Sequence, residues 1–164
     1  MNTNNSPRCA VLGYGSWATA IVKTLTVNHR HVDWLVLNED IRDSLATRCR
    51  NSKYLPWCYI NNEYFTVSAD INEVVRDADI VILAMPSAFM KKFLEPLTES
   101  LKDKIVVSAV KGIIPGDYLT IVEHMNRYYD VPMDRLAVVT GPSHAEEVGQ
   151  CQLSYLTVAS ENID

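Results

Sequence analysis

The sequence predicts an α/β fold, in which helices cover both faces of a doubly wound and mostly parallel sheet. Apolar segments of strand length alternate with segments of helical periodicity along the 164 residues. The segment 78–86 carries a continuous apolar run, which is typical of a strand buried on both faces. A Gly-x-Gly turn, formed by Gly13 and Gly15, joins the first predicted strand to the first predicted helix. That order is typical of doubly wound sheets.

The first half of the chain alternates short strands with helices. Strands are predicted at residues 9–12, 31–37 and 66–67. The first helix follows the glycines, because Ala18, Ile21, Val22 and Leu25 recur at helical spacing. A second helix is predicted over 39–53, before Pro56, and a third over 71–76.

The second half repeats the alternation. Strands are predicted at 78–86, 104–110, 136–140 and 153–159. Helices are predicted over 89–101, kinked or divided at Pro96, and over 118–128. The sequence therefore predicts one domain over residues 1–164.

Composition excludes several classes of protein. The net charge of −5 gives no electrostatic reason to expect nucleic acid or an anionic membrane. No apolar run reaches the roughly 18–20 residues of a membrane span, and the polar first residues do not resemble a signal peptide. A cytoplasmic location is expected. The four cysteines, Cys9, Cys49, Cys58 and Cys151, show no Cys-x-x-Cys spacing, so neither a metal site nor a disulfide is expected.

The glycine turn is the first candidate site. Gly13 permits a tight turn, and Gly15 lets the backbone approach a pyrophosphate without an intervening side chain. The N-terminus of the next helix then offers unpaired N–H groups to the anion. Ala18 holds the third position of the fingerprint, where a small residue lets helix and strand pack closely. A bare Gly-x-Gly also occurs as an ordinary turn, so other residues must decide between the two.

Further candidates follow the carboxyl ends of the strands, where ligands bind in such sheets. They are Ser16, Trp17, Ser87, Lys111, Ser143, His144 and Glu147. Lys111 is placed to meet a phosphate or a developing oxyanion, or else is a solvated surface lysine. His144 is a candidate general base, although a capping or exposed histidine explains it as well. Tyr54 is either a packing aromatic or a neighbour of a cofactor.

Leu37 ends the second predicted strand and Asn38 follows it, where a dinucleotide's adenosine ribose would lie. Neither residue is acidic or basic, so both NAD and NADP stay open. The nearby Glu39 and Asp40 favour NAD.

Five phrases of the sequence together resemble the NAD(P)-dependent glycerol-3-phosphate dehydrogenase family. They are Gly13-x-Gly15-Ser-Trp-Ala-Thr-Ala20, Asn51-x-x-Tyr-Leu-Pro56, Pro86-Ser87, Lys111-Gly112-Ile113 and Gly141-Pro-Ser-x-Ala-Glu-Glu147. They lie in the family's order and spacing, and the resemblance runs from about Arg8 to Ser160.

The resemblance implies reversible hydride transfer between a nicotinamide coenzyme and C2 of dihydroxyacetone phosphate or sn-glycerol 3-phosphate, which feeds phospholipid synthesis. It implies coenzyme contacts from Gly13, Gly15, Ser16, Trp17, Leu37, Asn38, Pro86, Ser87, Lys111 and Ala145. It implies substrate contacts from Lys111, Gly141 and Ser143. The expected partner is thus a small-molecule substrate. The resemblance is also compatible with a homodimer of the full-length enzyme.

The sequence departs from the family at three places. Ala18 replaces a common glycine, and Leu37 stands where many bacterial members carry Arg or His, which argues against NADPH. The family's proton-donating lysine belongs to a helical C-terminal domain, whereas this chain ends at Asp164. No catalytic residue is therefore expected here, and we expect coenzyme binding without turnover.

Two other functions fit the same fold. One is a free-standing, dinucleotide-sensing domain, which would explain the small size. The other is the coenzyme-binding half of a related hydroxy-acid dehydrogenase.

Overall fold

Seven strands form one sheet in the computed structural model, which describes residues 6–162. The strands are β1 (Cys9–Leu12), β2 (Val32–Leu35), β3 (Phe65–Ser68), β4 (Ile80–Leu83), β5 (Ile105–Ser108), β6 (Leu136–Thr140) and β7 (Thr157–Ser160). Their order is β3-β2-β1-β4-β5-β6-β7. Every neighbouring pair is parallel except β6 and β7, which are antiparallel. The predicted fold class, a mostly parallel and Rossmann-like sheet, is confirmed.

Six α-helices connect or follow these strands within the described residues. They are α1 (Ser16–Val27), α2 (Glu39–Arg48), α3 (Ile71–Arg76), α4 (Met90–Leu94), α5 (Ile121–Tyr129) and α6 (Ala145–Gly149). Three 3-10 turns lie at Asn62–Tyr64, Ser87–Phe89 and Met133–Arg135.

The strand order reverses beside β1, and this reversal determines where a ligand can enter. The chain runs from β1 outward to β2 and β3, then returns to place β4 on the other side of β1. Leu12 of β1 is in register with Leu35 of β2 and with Leu83 of β4. The loops that follow these strands therefore leave the same edge, and a crevice opens between them.

A separate apolar core lies on each face of the sheet. Alternate side chains of β1 divide between the two cores, since Ala10 and Leu12 belong to one and Val11 to the other. The first core contains residues of α3, α4 and α5, and the second contains residues of α1, α2 and α6. Both faces are thus covered, as the apolar runs of the central strands predict.

Two helices are shorter than predicted. The second helix, predicted over 39–53, ends at Arg48 because Cys49 adopts a left-handed conformation with φ 55°. The helix predicted over 89–101 ends at Leu94, so it is interrupted before Pro96 rather than kinked there, and it does not resume over 97–101. The backbone N–H groups of Thr98 and Glu99 donate instead to the Asn72 side chain, which holds 96–99 as a loop.

Other boundaries also differ. The helix predicted from residue 118 begins at Ile121, because Thr120 and Glu123 form a capping box. The last strand is Thr157–Ser160 rather than 153–159, and it runs antiparallel to β6. The sequence analysis missed α6, which is short and packs against α1.

Candidate functional site

Three adjoining cavities form one cleft along the carboxyl edge of the sheet. Their volumes are about 530, 480 and 420 Å³. The first and second share Gly15, Met85 and Pro86, and the second and third share Trp17, Lys111 and Ser143. The cleft therefore runs without interruption from the loop after β2 to the loop after β6.

The glycine turn forms the floor of the cleft where the strand order reverses. Gly13 has φ +125°, and a Cβ there would lie 2.3 Å from the backbone oxygen of Ala84. Gly13 is therefore required for the close approach of the turn to the end of β4. Gly15 is the N-cap of α1, and a Cβ there would meet no atom within 4 Å. Gly15 thus borders open space in the cleft, as a backbone that approaches a ligand must.

Two buried side chains hold this turn, and the sequence analysis did not identify either of them. The Trp34 indole N–H donates to the Gly13 carbonyl at 2.6 Å. The Thr19 hydroxyl donates to the Gly15 carbonyl at 2.9 Å. Trp34 lies in a strand whose apolar pattern predicts only that its side chain packs in the core. A threonine one turn into the helix was the available signal, because such hydroxyls bond backbone carbonyls of the preceding turn.

Lys111 stands between the second and third cavities, after the end of β5. Its side chain is exposed, and across residues 6–162 it has no hydrogen-bond or ion-pair partner. The next residue, Gly112, has φ +94°, and a Cβ there would lie 3.4 Å from the Ser87 hydroxyl. The loops after β4 and β5 therefore meet, and Lys111 and Ser87 line the same cavity.

The loop after β6 closes the far end of the cleft. Gly141 has φ +139°, and a Cβ there would lie 2.4 Å from the backbone oxygen of Tyr155. Ser143 lines the second and third cavities. His144 is the N-cap residue of α6, but its side chain makes no capping hydrogen bond. The predicted histidine is thus exposed and lines the cleft beside Ala145.

The cleft brings together almost all the residues predicted to contact coenzyme or substrate. Those that line it are Gly13, Gly15, Ser16, Trp17, Leu37, Pro86, Ser87, Lys111, Gly141, Ser143 and Ala145. Tyr54 lines the same cavity as Leu37. Asn38 is the exception, because its side-chain oxygen accepts the Ile41 N–H at 3.1 Å and caps α2. Glu147 lies in α6 and does not line the cleft within the described part of the chain.

Other polar groups lie away from this edge. His29 contacts Tyr64 and His31 contacts Thr66 near the opposite ends of the strands, each at 3.0 Å. In residues 6–162, no three His, Cys, Asp or Glu side chains are grouped so that they could hold a metal ion. The four cysteines are free, and burial raises the pKa of the Cys9 and Cys58 thiols.

Over the described range, none of the helices has the length and apolar character to cross a bilayer.

Comparison with known proteins identifies relatives over almost the whole chain. The family model described as "NAD-dependent glycerol-3-phosphate dehydrogenase N-terminus" matches residues 8–164. A glycerol-3-phosphate dehydrogenase [NAD(P)+] of Halothermothrix orenii is 35% identical over 161 residues, which cover 96% of this chain and 45% of the relative. The enzyme of the same name from Halalkalibacterium halodurans is 33% identical over 156 residues, covering 94% of this chain and 45% of the relative.

Solved structures show the same fold. The glycerol-3-phosphate dehydrogenase of Plasmodium falciparum superposes with a TM-score of 0.86 at 20% identity, covering 96% of this chain and 46% of the other. That of Coxiella burnetii superposes with a TM-score of 0.81 at 24% identity, covering 96% and 47%. The chain spans about 45% of the length of the curated relatives that it matches. It belongs to the NAD-dependent glycerol-3-phosphate dehydrogenase family and corresponds to that family's N-terminal part.

Proposed function

We propose that residues 1–164 are the dinucleotide-binding domain of a two-domain glycerol-3-phosphate dehydrogenase, and that the cleft binds NAD(H) or NADP(H). The continuous cleft across the glycine turn carries this proposal, because it joins an apolar pocket, a helix N-terminus and an unpaired cation in one line. This is the edge at which doubly wound sheets bind dinucleotides.

The three parts of the cleft suit three parts of a dinucleotide. Leu37 and Tyr54 form an uncharged wall for the adenosine end. The turn from Gly13 to Ser16 receives the pyrophosphate at the start of α1. Pro86, Ser87 and Ala145 then surround the nicotinamide end, beside Lys111.

Substrate would lie at the Lys111 end of the cleft. Lys111, Gly141 and Ser143 line one cavity and offer an ammonium, backbone groups and a hydroxyl. That set suits dihydroxyacetone phosphate or sn-glycerol 3-phosphate, because an ammonium stabilises a phosphate or the oxygen that gains charge as a ketone is reduced. The bound coenzyme supplies or accepts the hydride at C2.

The coenzyme that the cleft favours is NAD rather than NADP. Leu37 brings no positive charge to the adenosine end, and Asn38 uses its side-chain oxygen to cap α2. The acidic Glu39 and Asp40 follow in the first turn of that helix and would repel a ribose phosphate.

Titration calorimetry of the chain with NADH and with NADPH tests the proposal. We expect saturable binding of both, with the lower Kd for NADH. Gly15→Val should abolish binding, because a branched side chain would occupy the pyrophosphate path.

Urea unfolding of Gly15→Val is the control for this experiment. Gly15 has an extended conformation with φ −75° and open space around it, so Gly15→Val should still fold. Its urea unfolding should show a loss of no more than about 1 kcal/mol, because valine is a poorer N-cap residue than glycine. Unchanged NADH affinity in a folded Gly15→Val protein would show that the turn is not the binding site.

We extend the proposal to the setting of the enzyme. A dehydrogenase of glycerol phosphate would work in the cytoplasm, would supply the backbone of phospholipids, and allows a homodimer. Fractionation of cells with an antibody against this chain tests the location, and sedimentation of the purified protein tests its association.

A further inference from the structure

Asn51 is a polar residue in the core, beside the floor of the cleft. It has no solvent exposure, and it follows α2 in the segment that leads to Tyr54. An amide side chain in such a place must have its hydrogen bonds supplied by the protein, since an unpaired buried polar group is costly.

The amide of Asn51 uses its full bonding capacity of two donors and two acceptor positions. Its nitrogen donates to the Tyr14 carbonyl and to the Thr19 hydroxyl, each at 2.9 Å. Its oxygen accepts the backbone N–H groups of Lys53 and Tyr54, each at 3.1 Å. The side chain thus joins the glycine turn to the segment that carries Tyr54, which lines the first cavity.

Asn51 completes a pattern that covers the whole glycine turn. The carbonyls of Gly13, Tyr14 and Gly15 accept hydrogen bonds from the side chains of Trp34, Asn51 and Thr19, respectively. The Gly15 carbonyl also accepts the backbone N–H of Thr19 at 2.9 Å, so the Tyr14 carbonyl depends most on its side-chain donor. All three carbonyls are therefore held toward the interior. Because each peptide unit is planar and trans, the N–H of the same unit points the opposite way.

The orientation of these carbonyls determines which backbone groups the turn presents to the cleft. The N–H groups that share peptide units with these carbonyls belong to Tyr14, Gly15 and Ser16, at the start of α1. They point away from the three buried donors, so the turn presents donors where a phosphate would bind. Reversing one peptide unit would replace a donor by a carbonyl oxygen that repels the anion.

We propose that Asn51 is a positioning residue for dinucleotide binding: it fixes the Tyr14 peptide so that the N–H groups of the glycine turn face the pyrophosphate, and it ties this turn to the Tyr54 wall of the cleft. The proposal rests on the function proposed above. It assigns a role to a side chain that does not itself line the cleft.

The test variant is Asn51→Asp, which keeps the shape of the side chain but removes both N–H donors. We expect the Kd for NADH to rise by about tenfold or more, since the Tyr14 carbonyl loses a buried donor. Calorimetry with NADH measures the Kd, and urea unfolding measures how much of the protein is folded.

Asn72 provides a matched control. Its amide also makes four hydrogen bonds, to the Pro96 carbonyl, the Thr98 N–H, the Thr98 hydroxyl and the Glu99 N–H. It holds the loop 96–99 and lines no part of the cleft. Asn72→Asp removes the donor to the Pro96 carbonyl and keeps the oxygen that accepts from Thr98 and Glu99. It should therefore lower the urea midpoint without changing the Kd for NADH by more than about twofold, since the lost bond lies away from the cleft.

A second pair of variants keeps the test decisive if Asn51→Asp does not fold. Thr19→Val removes the hydroxyl that links Asn51 to the Gly15 carbonyl, whereas Thr19→Ser retains it. We expect weaker NADH binding for Thr19→Val and near-normal binding for Thr19→Ser. Equal affinities for the two variants would overturn the proposal.

Amide hydrogen exchange of the ligand-free chain separates failure of this inference from failure of the proposed function. Asn51→Asp should speed exchange over residues 13–19 and Asn72→Asp should not. NADH binding by the original chain, with equal Kd values for Asn51→Asp and Asn72→Asp, would overturn the positioning role alone. If the original chain binds neither NADH nor NADPH, the proposed function fails. Faster exchange over residues 13–19 in Asn51→Asp than in Asn72→Asp would then still support the role of Asn51 in holding the glycine turn. Equal exchange in the two variants would overturn that role.

Discussion

Position 13 has no room for a side chain at this edge of the sheet. A Cβ at Gly13 would lie 2.3 Å from the Ala84 oxygen, and the φ of +125° is one that other residues rarely adopt. We expect Gly13→Ala to lower the free energy of unfolding by at least about 2 kcal/mol, through backbone strain and overpacking.

Urea denaturation measures this effect, and Gly15→Ala is the matched control. The control should unfold within about 1 kcal/mol of the original chain, since its new methyl group meets no atom within 4 Å and alanine is only a poorer N-cap residue. Equal midpoints for the two alanine variants would show that the contact with Ala84 does not restrict position 13.

At the scale of residues, the sequence predicted the side chains that follow strands and missed those that support them. Lys111 comes directly after an apolar run and Ser143 lies in the loop after the next one, and the carboxyl end of a strand is where ligands bind in such sheets. Trp34 and Asn51 act through bonds to Gly13 and Tyr14, which are 21 and 37 residues distant in the chain. Such pairings depend on how the strands and helices come together, and one sequence contains no periodic signal for them.

Among the elements, α5 carries a buried ionisable group that couples stability to pH. The His124 ring lies 4.8 Å from the Tyr128 ring, and its Nδ1 is 3.3 Å from a carboxylate oxygen of Asp117. Burial lowers the pKa of His124 below its usual 6.5, while the Asp117 charge opposes that shift and the Lys91 charge adds to it. The ammonium of Lys91 donates to Asp117 at 2.7 Å and holds the pKa of that carboxyl below its usual value.

We predict that the chain loses stability as pH falls from about 7 through 6.5. Because the folded-state pKa of His124 is lowered, the unfolded chain takes up a proton first, and protonation favours unfolding. The contribution of His124 is fully present above its unfolded pKa and declines as pH drops toward the folded one. The lowered pKa of Asp117 acts only at more acid pH, because its unfolded value is near 3.8.

Urea unfolding at pH 7.5 and 5.5 tests this prediction. His124→Gln should reduce the loss of stability between the two pH values. A His124→Gln protein with the original pH dependence would contradict the assignment.

Short elements were the least predictable part of the fold. The five residues of α6 follow Ser143 and His144, and the acidic Glu146 and Glu147 in its first turn were the available signal. This helix is stabilised mainly by packing on α1. Five residues are too few for a helical period to be recognised in the sequence. The early end of α4 depends similarly on Asn72, which binds the N–H groups of residues 98 and 99.

For the molecule as a whole, we predict coenzyme binding without turnover. Leu37 is 44% exposed and Phe89 is 59% exposed although both line the cleft, so the described residues leave it open to solvent. Reduction of a ketone requires an acid for the oxygen and a site that excludes water. NADH mixed with dihydroxyacetone phosphate and the chain should therefore keep its near-ultraviolet absorbance, as in a sample without protein.

Loss of that absorbance would contradict the prediction, and Lys111→Ala would then locate the activity. Turnover abolished by this variant would mean that the described cleft suffices for catalysis. Turnover unaffected by it would point to a contaminating enzyme.

The architecture of the molecule was the most predictable level, because it follows from a pattern repeated along the chain. Each apolar run became a strand, and alternation with helices made neighbouring strands parallel. The exception is β7, whose direction depends on how residues 150–156 turn back along the edge of β6. Nothing in the composition of that segment sets its direction.

The parallel register has a consequence for the size of ligand that the cleft can recognise. Leu37 follows β2 and Lys111 follows β5, with β1 and β4 between them in the sheet. Adjacent strands lie about 4.8 Å apart, so the three steps separate the two loops by about 14 Å. The spacing of the strands therefore sets a minimum length for a ligand that contacts both loops. A nucleoside monophosphate is shorter than this separation, so we expect an extended dinucleotide, unlike a nucleoside monophosphate, to contact both loops at once.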